Sequence, residues 1–462
     1  MPDFSLSDPI TTRDPLIAWL ESGCKPKAQW RVGTEHEKFG FNKRDLRPIP
    51  YEGPSGVRAV LEGMAERFGW QQVLEEGLPI ALTKGDAAIT LEPGGQLELA
   101  GAPVDSIHHT QEEINSHLGE LGVVCQGLDI AFLGVGVQPK STYEEIPWMP
   151  KGRYRVMREY LPKKGRLSLE MMTRTATVQA NMDFSDERDM GEKFRLAMAL
   201  QPLVTALFAN SPLTNGQPNG FLSWRAEIWR FTDPDRCGWL PFVFEENMGF
   251  EAYADYALAA PMLFCYRGGQ YQDAGGVPFG EFLAGRLPAL PGERPTLTDW
   301  TLHLSTLFPD VRLKSYLEFR GADAGNSATL CALPAFWKGL LYHGDSMGAA
   351  WELVSGWSLL EREEIHRMVP KLGLRTPVPG GMTLREVARQ VLKYARAGLN
   401  MHNRRNADGC DEAVFLQTLE ETAESGVTPA ERLLEAFHGR WQGQVDPIFR
   451  EEEFDSFLAQ CS

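Results

Sequence analysis

The segment at residues 84–103 constrains the fold most, because carboxylates and leucines alternate there around a Pro-Gly-Gly break. Glu92 precedes the break, and after it Glu98 lies on one face of a predicted strand with Leu97 and Leu99 on the other. A strand that buries leucines and directs a carboxylate the opposite way needs a partner for that charge, unless the polar face lies in water. The pattern therefore predicts either a solvated amphipathic strand or one wall of a charged site.

Residues 30–41 repeat this design, with Glu35 and Glu37 two positions apart and so on the same face of a strand. Two carboxylates that close together repel each other unless a cation lies between them. Where phosphates are handled, Mg²⁺ is the usual cation, since it prefers oxygen ligands. His36 lies on the opposite strand face, which favours packing over metal ligation. These two segments together indicate a site for a hard cation.

Two further segments, residues 174–184 and 311–321, each carry a polar row opposite an apolar row and are interpreted as one strand each. The polar positions with site chemistry are Gln179, Asn181, Lys314, Glu318 and Arg320. Any single row is best explained as a solvated face, but four in one chain favour a shared concave surface. Carboxylates with Arg and Lys, and no nucleophile–base pair, suit phosphoryl transfer, which depends on metal ions, cationic groups and positioning.

The order of predicted elements indicates an α+β fold with a large, mainly antiparallel sheet, because strands and helices mix without regular βαβ alternation. Helices are predicted at residues 12–24, 57–68, 105–125 and 190–210, and from residue 334 onward. Residues 139–166, rich in Pro, Lys and Arg, are predicted to form a long connection. With no polar linker, we expect a single catalytic domain over residues 1–462, sheet-forming at 12–333 and mainly helical at 334–462.

Charge and cysteine usage restrict the partners and the compartment. The formal net charge of −16 argues against nucleic acid or an anionic membrane as partner, so an anionic substrate must be held by local Arg, Lys or metal. The seven cysteines are scattered without a CxxC motif, which indicates reduced thiols. No signal peptide or membrane span is predicted. We therefore expect a cytoplasmic protein, a monomer or weak homodimer, with small-molecule substrates.

Long motifs in this sequence resemble those of glutamate–cysteine ligases of the plant and proteobacterial type, over about residues 12–450. The matching stretches are WRVGTEHEKFGF (30–41), LEPGGQLELAGAP (91–103), MPKGRY (149–154), TVQANMDF (177–184), LFANSP (207–212), NGFLSWR (219–225), YLEFRGAD (316–323) and LCALPAFW (330–337). The resemblance implies a glutamine-synthetase-like carboxylate–amine ligase fold, in which a curved, mainly antiparallel sheet forms a funnel surrounded by helices. It also implies ATP-dependent joining of the glutamate γ-carboxylate to the cysteine amine through a γ-glutamyl phosphate, the first step of glutathione biosynthesis.

The resemblance further implies roles for particular residues, with ATP as co-substrate and two or more Mg²⁺ ions as cofactors. The implied metal ligands are Glu35, Glu37, Glu92, Glu98 and Glu318. The implied substrate-binding residues are Arg225, Arg153, Gln179 and Asn181. The implied ATP-binding residues are Arg320 and Lys314, and the implied catalytic residues are Arg320, Arg153 and Glu98. Metal and arginine assignments within this set are interchangeable at the level of sequence.

The sequence departs from the plant pattern at the cysteine pairs linked to redox control. One pair corresponds to Gln111 and Cys331 and the other to Ala274 and Ala289, so neither disulfide can form and redox switching is not expected. Two alternatives to the cysteine ligase stay open. One is a ligase on the same fold with another amine acceptor or acid donor. The other is a non-catalytic regulator that binds glutamate or nucleotide, which would be marked by loss of an acidic site residue.

Overall fold

The computed structural model of the 462-residue chain describes residues 6–454. The α-helices are α1 (Asp14–Glu21), α2 (Val57–Phe68), α3 (Ile107–Gln126), α4 (Gly152–Tyr160), α5 (Ser168–Arg174), α6 (Glu187–Leu207), α7 (Trp224–Arg230), α8 (Phe250–Ala259), α9 (Phe279–Leu283), α10 (Leu297–Leu304), α11 (Ser327–Leu341), α12 (Gly344–Val354), α13 (Leu359–Leu372), α14 (Leu384–His402), α15 (Gln417–Ser425), α16 (Pro429–His438) and α17 (Ile448–Glu451). The strands are β1 (Val32–Asn42), β2 (Gln71–Glu75), β3 (Leu78–Lys84), β4 (Ala87–Leu91), β5 (Leu97–Ala100), β6 (Ile130–Leu133), β7 (Thr177–Met182), β8 (Leu213–Thr214), β9 (Gln217–Pro218), β10 (Cys237–Gly238), β11 (Phe264–Arg267), β12 (Gln270–Asp273), β13 (Phe308–Pro309), β14 (Val311–Leu313), β15 (Leu317–Asp323), β16 (Pro377–Val378) and β17 (Met382–Thr383).

A nine-stranded sheet organises the molecule, with strand order β14-β15-β7-β1-β5-β4-β3-β2 and β6 paired to the far end of β1. Every pairing in this sheet is antiparallel. The long strand β1 is central because it pairs with β7 and β5 along its first half and with β6 along its second. The predicted α+β fold with a mainly antiparallel sheet and surrounding helices is confirmed.

The sheet curves around a cavity on one of its faces. In the strand order, β4 and β14 are five pairings apart, which in a flat sheet would separate them by about 24 Å. Residues from the β4–β5 turn and from β14 and β15 nevertheless line the same cavity of about 280 Å³. This closure brings polar rows from strands far apart in the sequence to one place.

Helices cover the other face of the sheet and bury it. α3 and α11 pack on β1, α11 also packs on β7, and α6 packs on β15. His36 and Lys38, which alternate with the two β1 glutamates, are fully buried on this side.

The expected boundary between the two parts of the single domain, at residues 333 and 334, lies inside α11, so that division stays a prediction. Within residues 6–454, no helix combines the length and the apolar character needed to cross a membrane.

Two local predictions were wrong. The expected long connection at residues 139–166 contains α4, whose Tyr154, Met157 and Tyr160 are buried while Arg155, Arg158 and Glu159 are exposed. The expected single strand at residues 311–321 is a hairpin, because the chain turns at residues 314–316 between β14 and β15. Helix α4 places Arg153, and the hairpin pairs Arg312 with Glu318, so both corrections bear on the site.

Candidate active site

Four glutamates lie on neighbouring parts of the sheet and line the 280 Å³ cavity. Glu35 and Glu37 come from β1, Glu98 from β5, and Glu92 from the turn between β4 and β5. The register pairs Glu37 directly with Glu98, and residues paired in this way point to the same side of a sheet. Glu35, Glu37, Glu92 and Glu98 are called the floor glutamates below.

Burial and mutual repulsion raise the pKa of the floor glutamates. For Glu35, burial, followed by the charges of Glu318 and Glu98, raises the pKa to about 7. Burial raises the pKa of Glu37 well above its usual range, and Glu98 and Glu92 add to the effect. The pKa values of Glu92 and Glu98 are also raised, mainly by burial. A cation among these carboxylates would remove both the repulsion and the desolvation cost.

Neutral donors hold the floor glutamates in place without offsetting their charge. Asn181 donates from Nδ2 to Glu35 Oε1 at 2.7 Å, across the β7–β1 pair. The Thr90 hydroxyl donates to Glu98 Oε2 at 2.5 Å, from the directly opposite position on β4. The carboxylates are thus oriented by the sheet itself and remain available to a cation.

Glu318 differs from the floor glutamates because three cationic side chains surround it. Arg312 donates from Nη2 to both carboxylate oxygens, at 2.7 and 2.9 Å, and Lys314 Nζ lies 2.9 Å from Oε2. Arg320 pairs with Oε1. Burial opposes ionisation of Glu318, but the three cations outweigh burial and hold the pKa of Glu318 well below its usual range. In this arrangement its oxygens are occupied by cationic donors.

Further cations face the floor glutamates across the cavity. Arg320 donates from Nη1 to Gln179 Oε1 at 2.5 Å, which fixes the direction of the guanidinium. Lys151 donates to the carbonyl oxygen of Leu91 at 2.8 Å. Arg153, from the first turn of α4, has a buried Nε without a hydrogen-bond partner within residues 6–454. A buried cavity with acids on one side and cations on the other suits a metal–phosphate ligand.

Arg225 lies beside this cavity and lines a second one of about 420 Å³. The two cavities share Trp229, Phe308 and Arg320, so they lie on either side of these three residues. The Arg225 side chain is buried, and its Nη2 donates to the carbonyl oxygen of Arg320 at 3.0 Å. In the described part of the chain, Arg225 has no ion pair and its Nε has no hydrogen-bond partner. A buried, unpaired guanidinium beside a cavity is typical of a site for an anionic ligand.

Most of the site residues predicted from the sequence come together. Those that line the 280 Å³ cavity are Glu35, Glu37, Glu92, Glu98, Arg153, Gln179, Lys314 and Arg320. Asn181 and Glu318 contact members of this set, whereas Arg225 lines the neighbouring cavity. Four residues that line this cavity were not predicted from the sequence: Lys151, Trp229, Phe308 and Arg312. Of these, Arg312 could have been predicted, because it lies an even number of residues from Lys314 and Glu318 and so falls on the same face of the predicted strand.

The floor glutamates fit a divalent cation by their chemistry. Within residues 6–454, no three His, Cys, Asp or Glu side chains are already arranged as a metal-binding group. The fit therefore rests on four carboxylates around one cavity, of which Glu37 and Glu98 are buried and Glu35 and Glu92 half-buried, and on pKa values that burial and mutual repulsion raise. Carboxylate oxygens are the ligands that Mg²⁺ prefers.

The fold is similar to that of a solved glutamate–cysteine ligase from Francisella tularensis, determined in complex with AMP. The TM-score is 0.52 at 12% sequence identity, over 89% of this chain and 85% of that chain. At this identity the likeness concerns the fold alone, and it confirms the fold expected for the sheet and its surrounding helices.

Sequence comparison defines the family. The model of glutamate-cysteine ligase family 2 (GCS2) matches residues 31–451, and the chain belongs to this family. The chain is 54% identical over 445 residues to the chloroplastic glutamate–cysteine ligase of Arabidopsis thaliana, covering 96% of this chain and 83% of that protein. It is 52% identical over 446 residues to the chloroplastic glutamate–cysteine ligase B of Oryza sativa subsp. japonica, covering 96% of this chain and 88% of that protein. The predicted function is confirmed: the chain is a ligase that forms γ-glutamylcysteine, with ATP as co-substrate.

The comparisons overturn the expected cytoplasmic location. These relatives are named as chloroplastic enzymes. The expectation relied on scattered reduced cysteines and on finding no signal peptide or membrane span. Any reducing compartment permits reduced cysteines, and none of these features distinguishes the cytosol from an organelle.

Proposed function

We propose that ligation proceeds through a γ-glutamyl phosphate in the 280 Å³ cavity, with Mg²⁺ held by the floor glutamates. The observation that supports this most directly is the convergence of four carboxylates and five cationic side chains around one small cavity. A carboxylate is a poor electrophile, so the γ-carboxylate must be activated before an amine can attack it. Phosphorylation by ATP supplies that activation, and the cysteine amine then displaces phosphate.

The roles of the residues follow from their charges. When bound, Mg²⁺ would offset the charge of the triphosphate and of the floor glutamates. Arg153 and Arg320 stabilise the charge on the phosphoryl group during transfer, because they face the floor glutamates across the cavity. Gln179 directs Arg320, and Asn181 directs Glu35. Lys314 contributes to ATP binding and, with Arg312, holds Glu318 ionised.

Glu318 joins the metal ligands only if Arg320 moves away, because its oxygens are occupied by cationic donors. We therefore assign the metal first to the floor glutamates and give Glu318 the role of orienting Arg320 and Arg312. Arg225 binds glutamate, since it is buried beside the second cavity and has no ion-pair partner in the described chain.

The test uses the full chain with MgATP, glutamate and cysteine, and measures ADP release together with the mass of the product. We expect ADP release only when both amino acids are present, and a product with the mass of γ-glutamylcysteine. Reactions in which other amines replace cysteine, or other acids replace glutamate, test the alternative that the enzyme is a ligase with a different substrate specificity. ADP release that does not depend on glutamate, or a faster reaction with another amino-acid pair, would contradict the proposal.

A further inference from the structure

Asp323, at the end of β15, is the centre of a buried hydrogen-bond network that extends to α7, the helix of Arg225. Its Oδ2 accepts from the backbone N–H of Asn210 at 2.9 Å and from the Ser211 hydroxyl at 2.6 Å. Its Oδ1 accepts from the Ser223 hydroxyl at 2.8 Å. Asp323 and both serines are 2% exposed or less. Three donors on one buried carboxylate define its position closely.

Packing fixes the carboxylate as well. A Cβ atom at Gly136 would lie 2.6 Å from the Cβ and Cγ of Asp323, so the backbone of Gly136 leaves no space for the aspartate to move towards it. The side chain is therefore held both by its donors and by the neighbouring chain.

The network continues from the serines to Arg225. The Ser211 hydroxyl, which donates to Asp323, accepts from the backbone N–H of Arg225 at 3.1 Å. The Ser223 hydroxyl accepts from the backbone N–H of Ala226 at 3.1 Å and so caps the N-terminus of α7. Both bonds act on the first turn of α7, which carries Arg225.

The first turn of α7 decides where the Arg225 guanidinium points. Arg225 reaches the Arg320 carbonyl and the second cavity directly from that turn. Its charge has no paired carboxylate within residues 6–454, and the carboxylates that stabilise it at longer range are Asp323, Glu37 and Asp310. Asp323 thus acts on Arg225 through two hydroxyl bridges and through its charge, and it does not itself line the second cavity.

We propose that Asp323 is a positioning residue for glutamate binding, which acts by holding Arg225 through Ser211 and Ser223. The inference rests on the proposed role of Arg225 as a glutamate ligand. Asp323 is required as a carboxylate because an amide would present an N–H₂ group where a hydroxyl now donates. The effect is therefore specific for glutamate and differs from a general loss of packing.

The experiment combines Asp323→Asn with Arg225→Ala in a double-mutant cycle, with Asp299→Asn as matched control. Asp299 is also a buried aspartate that accepts from a hydroxyl and a backbone N–H, but it belongs to α10 and lines neither cavity. We expect Asp323→Asn to raise the KM for glutamate about tenfold and to leave the KM for ATP within about twofold. In the Arg225→Ala background the same change should have almost no further effect on the glutamate KM. Asp299→Asn should lower the unfolding midpoint without changing the glutamate KM.

Each outcome separates the inference from the function on which it rests. If Arg225→Ala raises the glutamate KM but Asp323→Asn does not, Asp323 is not a positioning residue, whereas Arg225 still binds glutamate. If Arg225→Ala leaves the glutamate KM unchanged, the role of Arg225 and the inference both fall. An equal rise in both KM values, or additivity in the cycle, would show a structural effect only. If Asp323→Asn does not fold, Ser211→Ala removes one bridge and should raise the glutamate KM severalfold, and an unchanged value would overturn the inference.

Discussion

At the residue scale, the site contains two kinds of carboxylate: the floor glutamates, which form no ion pair in the described chain, and Glu318, which is paired with cationic side chains. The floor glutamates have raised pKa values because burial and neighbouring carboxylates raise them, and the hydrogen bonds from the neutral donors Asn181 and Thr90, which lower the pKa, do not outweigh this. Glu318 has a lowered pKa because Arg312, Lys314 and Arg320 surround it. We therefore place the proposed cation among the floor glutamates rather than at Glu318.

Replacing floor glutamates should abolish most turnover while leaving the fold intact. We expect Glu37→Gln and Glu98→Gln each to lower kcat by about 100-fold or more, because each change removes a metal ligand that stabilises the phosphoryl group in transfer. The unfolding midpoint without metal should rise or stay the same, since a buried repulsive charge is lost. Steady-state kinetics and urea unfolding provide the two values. Glu112→Gln, an exposed change on α3, is the control, and near-normal kcat in both floor variants would contradict the metal assignment.

The sequence located the acidic residues well because strand alternation is a local signal. Glu35 and Glu37 alternate with buried residues on one strand and Glu98 does so on another, so periodicity alone predicts the polar face of each strand. Neither the pairing of Glu37 with Glu98 nor the contact of Arg312 with Glu318 follows in this way, because register depends on which strands meet. The acids were therefore predictable as a set, but their partners were not.

At the element scale, the two wrong predictions have identifiable causes. Helix α4 carries many charged residues and follows a proline-rich stretch, so its buried stripe of Tyr154, Met157 and Tyr160 is a weak signal. The turn between β14 and β15 contains no glycine or proline, and its Ser315 lies against Gly23, where a Cβ would come 2.4 Å from the Ser315 carbonyl oxygen. A distant part of the chain shapes this turn, which local patterns cannot show.

The crossing of α11 and α14 depends on two glycines in close contact. A Cβ on Gly398 would lie 1.9 Å from the carbonyl oxygen of Gly339, and one on Gly339 would lie 2.2 Å from that of Ala395. We expect Gly398→Ala to lower the free energy of unfolding by about 2 kcal/mol or more, because the helices must separate. Gly348→Ala on α12 meets open space and should raise that free energy by about 0.5–1 kcal/mol. Urea unfolding compares the two variants, and an equal effect would contradict the close crossing.

His303 on α10 should make the fold sensitive to acid. Burial lowers the pKa of His303 to about 3, while its Nε2 hydrogen-bonds the Ala257 carbonyl oxygen at 2.8 Å. Because the folded-state pKa lies below the usual value near 6.5, the stability from the neutral ring is fully present above that value and is lost as pH falls towards 3. The difference in unfolding free energy between wild type and His303→Gln should therefore shrink between pH 7 and pH 4.5. If the unfolding free energies of the two proteins change with pH in parallel, the ionisation of His303 does not contribute to the acid sensitivity of the fold.

At the scale of the whole molecule, the fold concentrates positive charge where the overall field opposes an anionic substrate. The net charge is −16, yet Lys151, Arg153, Arg225 and Arg320 gather around the two cavities. Long motifs and the resemblance they carry predicted the fold class, the family and the reaction. Amino-acid composition did not predict the compartment. Composition indicates the redox state of the thiols and the net charge of the protein, but it does not indicate the subcellular location.

Metal binding tests the central claim most directly, because it does not depend on turnover. Mn²⁺ accepts the same oxygen ligands as Mg²⁺ and can be titrated by electron paramagnetic resonance in the presence of a non-hydrolysable ATP analogue. The account predicts that wild type and Glu112→Gln bind Mn²⁺ alike, while Glu37→Gln and Glu98→Gln weaken its binding about tenfold or more. Equal Mn²⁺ affinity in all four proteins would contradict the claim that these strands meet to hold a metal ion.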